Sequence, residues 1–263
     1  MNLDAADIGG CRIAYRFDGP GDAPVVVLSN SLSSNLSMWD DQMAALTAHF
    51  RVLRYDQRGH GQSAVTPGPY SFGLLADDVH GLLRAHGIGS AHFVGLSMGG
   101  MTGQALGVRH PEILKSLVLC DTSAHMPPPG MWDERIALAR GGGMAATSEA
   151  TLGRWFTAPF HTARPDAIAR VRRMIETTPV EGYAGCCMAI RDMDQRPLLS
   201  RIIVPTCVIV GAEDPSTPVS ASQLIHDAIS GSELVILKEA AHLSNIEKAD
   251  AFNRALLDFL LRH

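Results

Sequence analysis

Alternation marks the start of the chain. After the Gly9-Gly10 pair, Cys11, Ile13, Tyr15 and Phe17 recur at every second position, the period of a half-buried strand, so the segment reads as a hairpin. Farther on, the apolar residues come in short unbroken runs: Val25–Leu28, Val52–Tyr55, His92–Val94, Leu117–Cys120, Cys207–Val210 and Leu234–Leu237. Strands apolar on both faces are covered on both, the pattern of a parallel sheet between helices. Helical spacing fills the gaps. Leu75, Val79, Leu82 and Leu83 form one stripe ending at Gly87 as a C-cap, and Phe252, Leu256 and Phe259 form another, with Arg262 at the negative end of the helix dipole. Strand–helix alternation at both ends predicts an α/β class with a doubly wound, mostly parallel twisted sheet flanked by helices.

That rhythm fails between residues 124 and 196. Pro127-Pro128-Pro129-Gly130 ends the strand pattern, and four helical segments follow with no strand between them. Thr178-Pro179-Val180-Glu181 reads as a capping box with proline at the first helical position, and Gly141-Gly142-Gly143 as a turn between helices. The strand–helix rhythm resumes after Arg196-Pro197. The expected organisation is a core of residues 1-123 and 197-263 with an all-helical cap, or lid, inserted as 124-196. Such an insertion lies at the C-terminal edge of a parallel sheet, where ligands bind.

Composition narrows the partner. The 263 residues are 46% hydrophobic and 19% charged, a globular balance that excludes a disordered chain. Lys plus Arg total 22 against 27 for Asp plus Glu, a net charge of −5 without basic clusters, so nucleic acid is not an expected partner. The five cysteines (Cys11, Cys120, Cys186, Cys187, Cys207) form no CxxC pair, and an odd number leaves no closed disulfide framework, so they read as buried free thiols. The opening MNLDAADIGG is unlike a signal peptide, and no run approaches the ~20 apolar residues of a membrane helix. The expectation is a cytoplasmic protein acting on a small molecule, with no membrane partner. A monomer and a homodimer are equally compatible with the sequence.

The chemistry is carried by Gly95-Leu96-Ser97-Met98-Gly99, a G-x-S-x-G between the run His92–Val94 and a helix rich in small residues. A serine at a sharp strand-to-helix turn has strained backbone angles, and flanking glycines allow strand and helix to approach closely. Its hydroxyl then stands at a helix N-terminus, where the dipole favours developing negative charge. A serine needs a base, and the base an orienting acid. Asp214 follows one strand in Gly211-Ala212-Glu213-Asp214-Pro215, and His242 follows another in Lys238-Glu239-Ala240-Ala241-His242, which sets Ser97, Asp214 and His242 at C-terminal strand edges in the order Ser…Asp…His. Glu213 is the alternative acid. For an oxyanion, the elbow supplies the Met98 N–H, and the loop Ser29-Asn30-Ser31-Leu32-Ser33 supplies a second donor: Leu32 N–H, or instead the Asn30 amide or Ser31 hydroxyl.

The remaining polar motifs read as structural. His49, His86, His110 and His263 fall in helical or helix-end patterns and read as surface residues. No H-E-x-x-H or H-x-H occurs, so neither a metal nor a cofactor is expected. Arg54-Tyr55-Asp56-Gln57-Arg58-Gly59-His60-Gly61-Gln62-Ser63 is glycine-rich but lacks the Lys-Ser/Thr of a phosphate loop; it reads as a turn in which Asp56 and Arg58 pair to brace neighbouring loops.

Over essentially its whole length the chain resembles the α/β-hydrolase superfamily, through Tyr55–Ser63 (YDQRGHGQS), Gly95–Gly100 (GLSMGG), Gly211–Asp214 (GAED) and the surroundings of His242. More narrowly it resembles bacterial 3-oxoadipate enol-lactonases. That match lies in Leu28-Ser29-Asn30-Ser31-Leu32, where most relatives have His-Gly in place of Asn30-Ser31, and in Phe50–Asp56, Arg154-Trp155-Phe156-Thr157 and Ser244-Asn245-Ile246-Glu247. Ser33 and Ser34 depart from the Gly-Thr frequent in that family. The resemblance implies hydrolysis of an unsaturated lactone bearing an acetate arm, to 3-oxoadipate, in aromatic catabolism through the β-ketoadipate pathway. Trp132 and Arg135, one helical turn apart, fit the family pattern as pocket wall and carboxylate anchor. Runner-up readings are another serine hydrolase on this scaffold (carboxylesterase, perhydrolase or C–C bond hydrolase) and, from another class, a non-catalytic receptor. A haloalkane dehalogenase would need Asp at position 97 and a dienelactone hydrolase Cys.

Overall fold

The computed structural model describes residues 3–263. Eight strands form one sheet: β1 (Asp4–Ile8), β2 (Cys11–Asp18), β3 (Val25–Ser29), β4 (Arg51–Tyr55), β5 (Ala91–Leu96), β6 (Leu114–Cys120), β7 (Thr206–Gly211) and β8 (Glu233–Leu237). Their spatial order is β1-β2-β4-β3-β5-β6-β7-β8. β2 runs antiparallel to both neighbours, and β3 to β8 are parallel throughout. The β1–β2 hairpin turns at Gly9 and Gly10, both at positive φ. Central strands β3, β5 and β7 are buried along their whole length, as their unbroken apolarity predicts. β8 departs from that expectation. It is the edge strand, and Ile236 stands half exposed.

The helices that follow the strands begin with the single turn α1 (Met43–Leu46), then α2 (Phe72–Ala85), which buries Leu75, Val79, Leu82 and Leu83. Gly87, at positive φ, donates to Arg84 O just past the end of α2. α3 (Met98–Arg109) follows β5 directly and is buried for most of its length. Between β6 and β7 come five helices where the sequence pattern suggested four: α4 (Pro129–Gly142), α5 (Ala145–Trp155), α6 (Ala158–Ala163), α7 (Pro165–Glu176) and α8 (Val180–Asp192). The insertion leaves and re-enters the core side by side, with Gln195 N–H donating to Ala124 O at 2.8 Å. α9 (Val219–Ala228), α10 (Ser244–Glu247) and α11 (Ala249–Leu260) complete the chain, and α11 buries Phe252, Leu256 and Phe259.

Two local expectations change. Gly141 and Gly142 belong to α4 and only Gly143, at φ 70°, ends it. Thr178 does not cap α8: its hydroxyl turns back to Met174 O at 2.9 Å, prolonging the hydrogen bonding of α7, and Pro179 takes the cap position. No helix among the described residues is long and apolar enough to cross a membrane. All five cysteines are buried and free.

Candidate active site

Strand order reverses between β3 and β5: β4 lies on one side of β3 and β5 on the other. The crevice at such a reversal, beyond the carboxyl ends of the strands, is where ligands bind in doubly wound sheets. Ser97 sits there, between β5 and α3, at φ 56° and ψ −114°. The strain is held by neighbours. Ser97 N–H donates to Cys120 O at 2.8 Å, and Thr122 Oγ1 donates to Ser97 O at 2.7 Å. A Cβ on Gly95 would lie 2.2 Å from Gly99 O, and one on Gly99 would lie 2.1 Å from Ser29 O, so the G-x-S-x-G glycines are required for α3 to press on β5 and β3.

Ser97 Oγ–H donates to Nε2 of His242 at 2.9 Å, and Nδ1–H of His242 donates to Asp214 Oδ2 at 2.7 Å. Asp214 is further held by the N–H groups of Ser216 and Thr217, at 2.7 and 3.1 Å, and by Thr217 Oγ1–H at 2.6 Å. Burial alone would raise the Asp214 pKa. The electrostatic attraction of His242 and the hydrogen bonds from His242 and Thr217 outweigh burial and hold the carboxyl below its ordinary range. Glu213 is exposed, so the acid next to His242 is Asp214.

Two buried acids brace this arrangement. Asp121, at the end of β6, accepts the Gly211 N–H at 2.8 Å and the Ser244 hydroxyl, which ties the start of the Asp214 loop to the segment after His242. Burial and the negative charge of Asp214 push its pKa well up, partly opposed by those two hydrogen bonds. Glu247 accepts the Ala241 N–H at 2.7 Å and the Thr157 N–H at 2.9 Å, and Leu243 N–H donates to Trp155 O at 3.1 Å. The inserted helices are thereby pinned to the His242 loop. Thr217 was missed from sequence, although an Asp followed by Pro-Ser-Thr is a turn pattern that aims backbone N–H groups at the carboxylate. Asp121 and Glu247 carry no comparable local signal.

A cavity of about 420 Å³ opens over Ser97 and His242, a size suited to a small organic molecule. Leu32 and Ser31 border it on the core side. Asn30 does not line the cavity: its Nδ2 donates to Tyr55 O at 2.9 Å and its Oδ1 accepts from Trp39 Nε1 at 3.0 Å. The Leu32 N–H has no backbone acceptor and the buried Ser31 hydroxyl no partner among the described residues. Met98, whose N–H opens α3, is fully buried beside Ser97.

The cap side of the cavity holds Trp132, Arg135 and Arg154. The Arg135 guanidinium carbon lies 4.6 Å from the Trp132 ring centroid, and its nearest polar partner is Met131 Sδ at 3.8 Å. Among the described residues Arg154 donates to Thr151 Oγ1 at 3.3 Å; burial and the charge of Arg135 lower its pKa. Neither guanidinium meets a carboxylate among the described residues, whereas Arg140, Arg170 and Arg172 pair with Glu181, Asp41 and Glu149. Arg154, unlike these, lines the cavity.

Elsewhere, Asp56 and Arg58 do not pair with each other. Asp56 accepts the N–H groups of Leu36 and Gln62, both at 2.8 Å, while Arg58 makes a two-pronged bond to Asp78 on α2. His80, His110 and Glu112 cluster away from the cavity, but the two imidazoles stack with centroids 4.1 Å apart and Asp77 already engages His110 Nε2 at 2.8 Å, a poor cradle for a metal. His110 is therefore half-buried and partnered, and His86 packs against Tyr15 and Phe17, instead of projecting into solvent.

A family profile described as alpha/beta hydrolase fold matches residues 24–249. A 3-oxoadipate enol-lactonase of Acinetobacter baylyi is 39% identical over 97% of this chain and 94% of its own length. A putative carbamate hydrolase, RutD, of Stutzerimonas stutzeri is 31% identical over 91% of this chain and 92% of its own. Among solved structures, the enol-lactonase from Burkholderia xenovorans LB400 superposes with a TM-score of 0.96 at 45% identity, covering 98% of this chain and all of that one.

Proposed function

Because the chain belongs to the alpha/beta hydrolase fold family and is a hydrolase, we propose that it opens 3-oxoadipate enol-lactone, a small cyclic ester with a carboxylate arm, through a serine acyl-enzyme. One observation carries the substrate class: two guanidiniums without carboxylate partners face the same cavity as the Ser97–His242–Asp214 chain. The ring ester would sit over Ser97 and its carboxylate arm between Arg135 and Arg154, where charge-assisted bonds complete what the protein leaves open.

The chemistry follows from the hydrogen bonds. Asp214 fixes the tautomer with Nδ1–H inward, so Nε2 is the base that takes the proton of Ser97 as its oxygen adds to the ring carbonyl. The resulting oxyanion meets the N–H groups of Met98 and Leu32. Collapse breaks the ring C–O bond and leaves an enolate on the acyl chain; it takes up the proton held on Nε2 and becomes a ketone, so the bond breaks with little prior acid assistance and Nε2 is free again to act as base. Water then adds to the acyl carbonyl, passing a proton to Nε2. His242 returns that proton to Ser97 Oγ as the second carboxylate leaves.

Turnover of the enol-lactone beside p-nitrophenyl acetate tests the proposal. The expected result is a kcat/KM preference for the lactone that largely disappears in Arg135→Ala and Arg154→Ala. Equal handling of both esters, or a higher rate on a small carbamate, would overturn it.

A further inference from the structure

The Tyr55–Ser63 loop, glycine-rich and unlike a phosphate loop, grips the Ser29–Leu36 loop at successive points. Tyr55 O accepts from Asn30 Nδ2 at 2.9 Å, Gln57 Nε2 donates to Asn30 O at 2.5 Å, and Asp56 Oδ1 accepts the Leu36 N–H at 2.8 Å. These ties flank the turn that carries Leu32. Within it, Ser34 Oγ donates to Ser31 O at 2.7 Å, and Ser33 N–H donates across to Nε2 of His60 at 3.1 Å. Ser33 stands at φ 60°, the left-handed region that disfavours a residue with a side chain, so the turn relies on its neighbours to keep it there.

We propose that His60 is a positioning residue for the oxyanion site: by accepting the Ser33 N–H it fixes the turn that aims the Leu32 N–H over Ser97. The inference rests on the serine acyl-enzyme reading above. His60 is well suited to the task. Burial lowers its pKa to about 4, with the hydrogen bond to Arg58 O opposing only in part, so near neutral pH the ring is an uncharged acceptor. Nδ1–H donates to Arg58 O at 3.4 Å, which leaves the Nε2 lone pair for Ser33. α8 closes the other side. Cys186 Sγ lies 4.0 Å from Nδ1, and Gly182 approaches so closely that a Cβ there would lie 1.9 Å from Gly59 O. The imidazole therefore has little room to turn away.

The test uses p-nitrophenyl acetate, so it does not depend on the lactone assignment, with a boronic acid as a probe that forms a tetrahedral adduct on the serine. His60→Asn shortens the side chain and withdraws the acceptor; His60→Gln carries a carbonyl oxygen to about the Nε2 position. The expected result for His60→Asn is a fall in kcat of about tenfold or more with KM changed less than about threefold, a fraction of the 10²–10³ that follows complete loss of an oxyanion donor. Boronate affinity falls in step, and His60→Gln recovers most of both losses. Nitrogen NMR of the histidines, assigned through the His60→Gln difference, reads the bond in the unaltered protein as an Nδ1–H tautomer. Unchanged kcat in a folded His60→Asn, equal losses in Asn and Gln, or an Nε2–H tautomer would overturn the proposal. Ser97→Ala separates the two readings: if it keeps turnover, the serine reading fails and this inference with it. If it is inactive while His60→Asn is unaffected, only the role of His60 fails.

Discussion

The two walls of the cavity are made on different terms. On the sheet side both ring nitrogens of His242 are engaged, and Asp214 accepts four hydrogen bonds, from Ser216, Thr217 twice and His242. On the cap side Arg135 and Arg154 repel each other and meet no acid among the described residues. The hydrogen-bonded chain of the first wall is assembled before any ligand arrives. The second wall, in the reading proposed above, is completed by the substrate's carboxylate. Groups meant for bond-making gain from geometry fixed in advance, whereas groups meant for recognition must keep their bonding capacity for the ligand.

That contrast breaks most sharply at Ser97. Ser97→Ala should lower kcat by about 10⁶ while leaving binding of a carboxylate product analogue unchanged, because the proposed anchor lies on the other wall. A variant that binds the analogue far more weakly would show the walls to be coupled. Asp214→Asn should cost about 10⁴ in kcat, since the amide can donate where Nδ1–H must donate and so favours the wrong tautomer. Stopped-flow measurement of the acylation step would locate that loss in bond-making.

The cap wall gives smaller effects of a distinctive kind. Arg154→Ala should lower kcat/KM for the carboxylate-bearing lactone by about 10- to 150-fold, the equivalent of ~1.5–3 kcal/mol, with p-nitrophenyl acetate hardly affected. Because it also relieves repulsion from Arg135, the thermal midpoint should hold or rise. A falling midpoint with equal losses on both esters would make Arg154 a structural residue.

The same division decides what could be read from the sequence. The elbow was legible because its cause is local: glycines at fixed offsets between a strand and a helix are needed wherever those elements press together, and Gly95 and Gly99 do so here. Asp214 and His242 were legible because each lies in the loop that follows a strand of the same sheet. Arg154 was not, since nothing adjacent to it distinguishes it from Arg140 or Arg172; the difference is whether an acid on another helix reaches it. The supposed Asp56–Arg58 pair failed for the same reason, as Arg58 found Asp78 on α2. Thr178 could have capped α8 but bonded backward to α7, a choice between two local partners that spacing does not settle.

Asp121 tests how far completeness on the sheet side depends on charge. Its carboxyl is raised well above its ordinary range by burial and by Asp214, so its proton is held more tightly folded than unfolded. Such a group stabilises fully below the unfolded value, and that contribution is lost as pH climbs through the raised folded value. Asparagine at this position can still accept the Gly211 N–H and donate to Ser244, without a charge to bury. Asp121→Asn should therefore change kcat/KM by about threefold or less, and its thermal midpoint should gain on the wild type as pH rises from about 4 to 8. If the midpoint difference between the two proteins stays flat across that range, Asp121 keeps its charge in the fold, and the sheet wall is held by an anion as the cap wall is by cations.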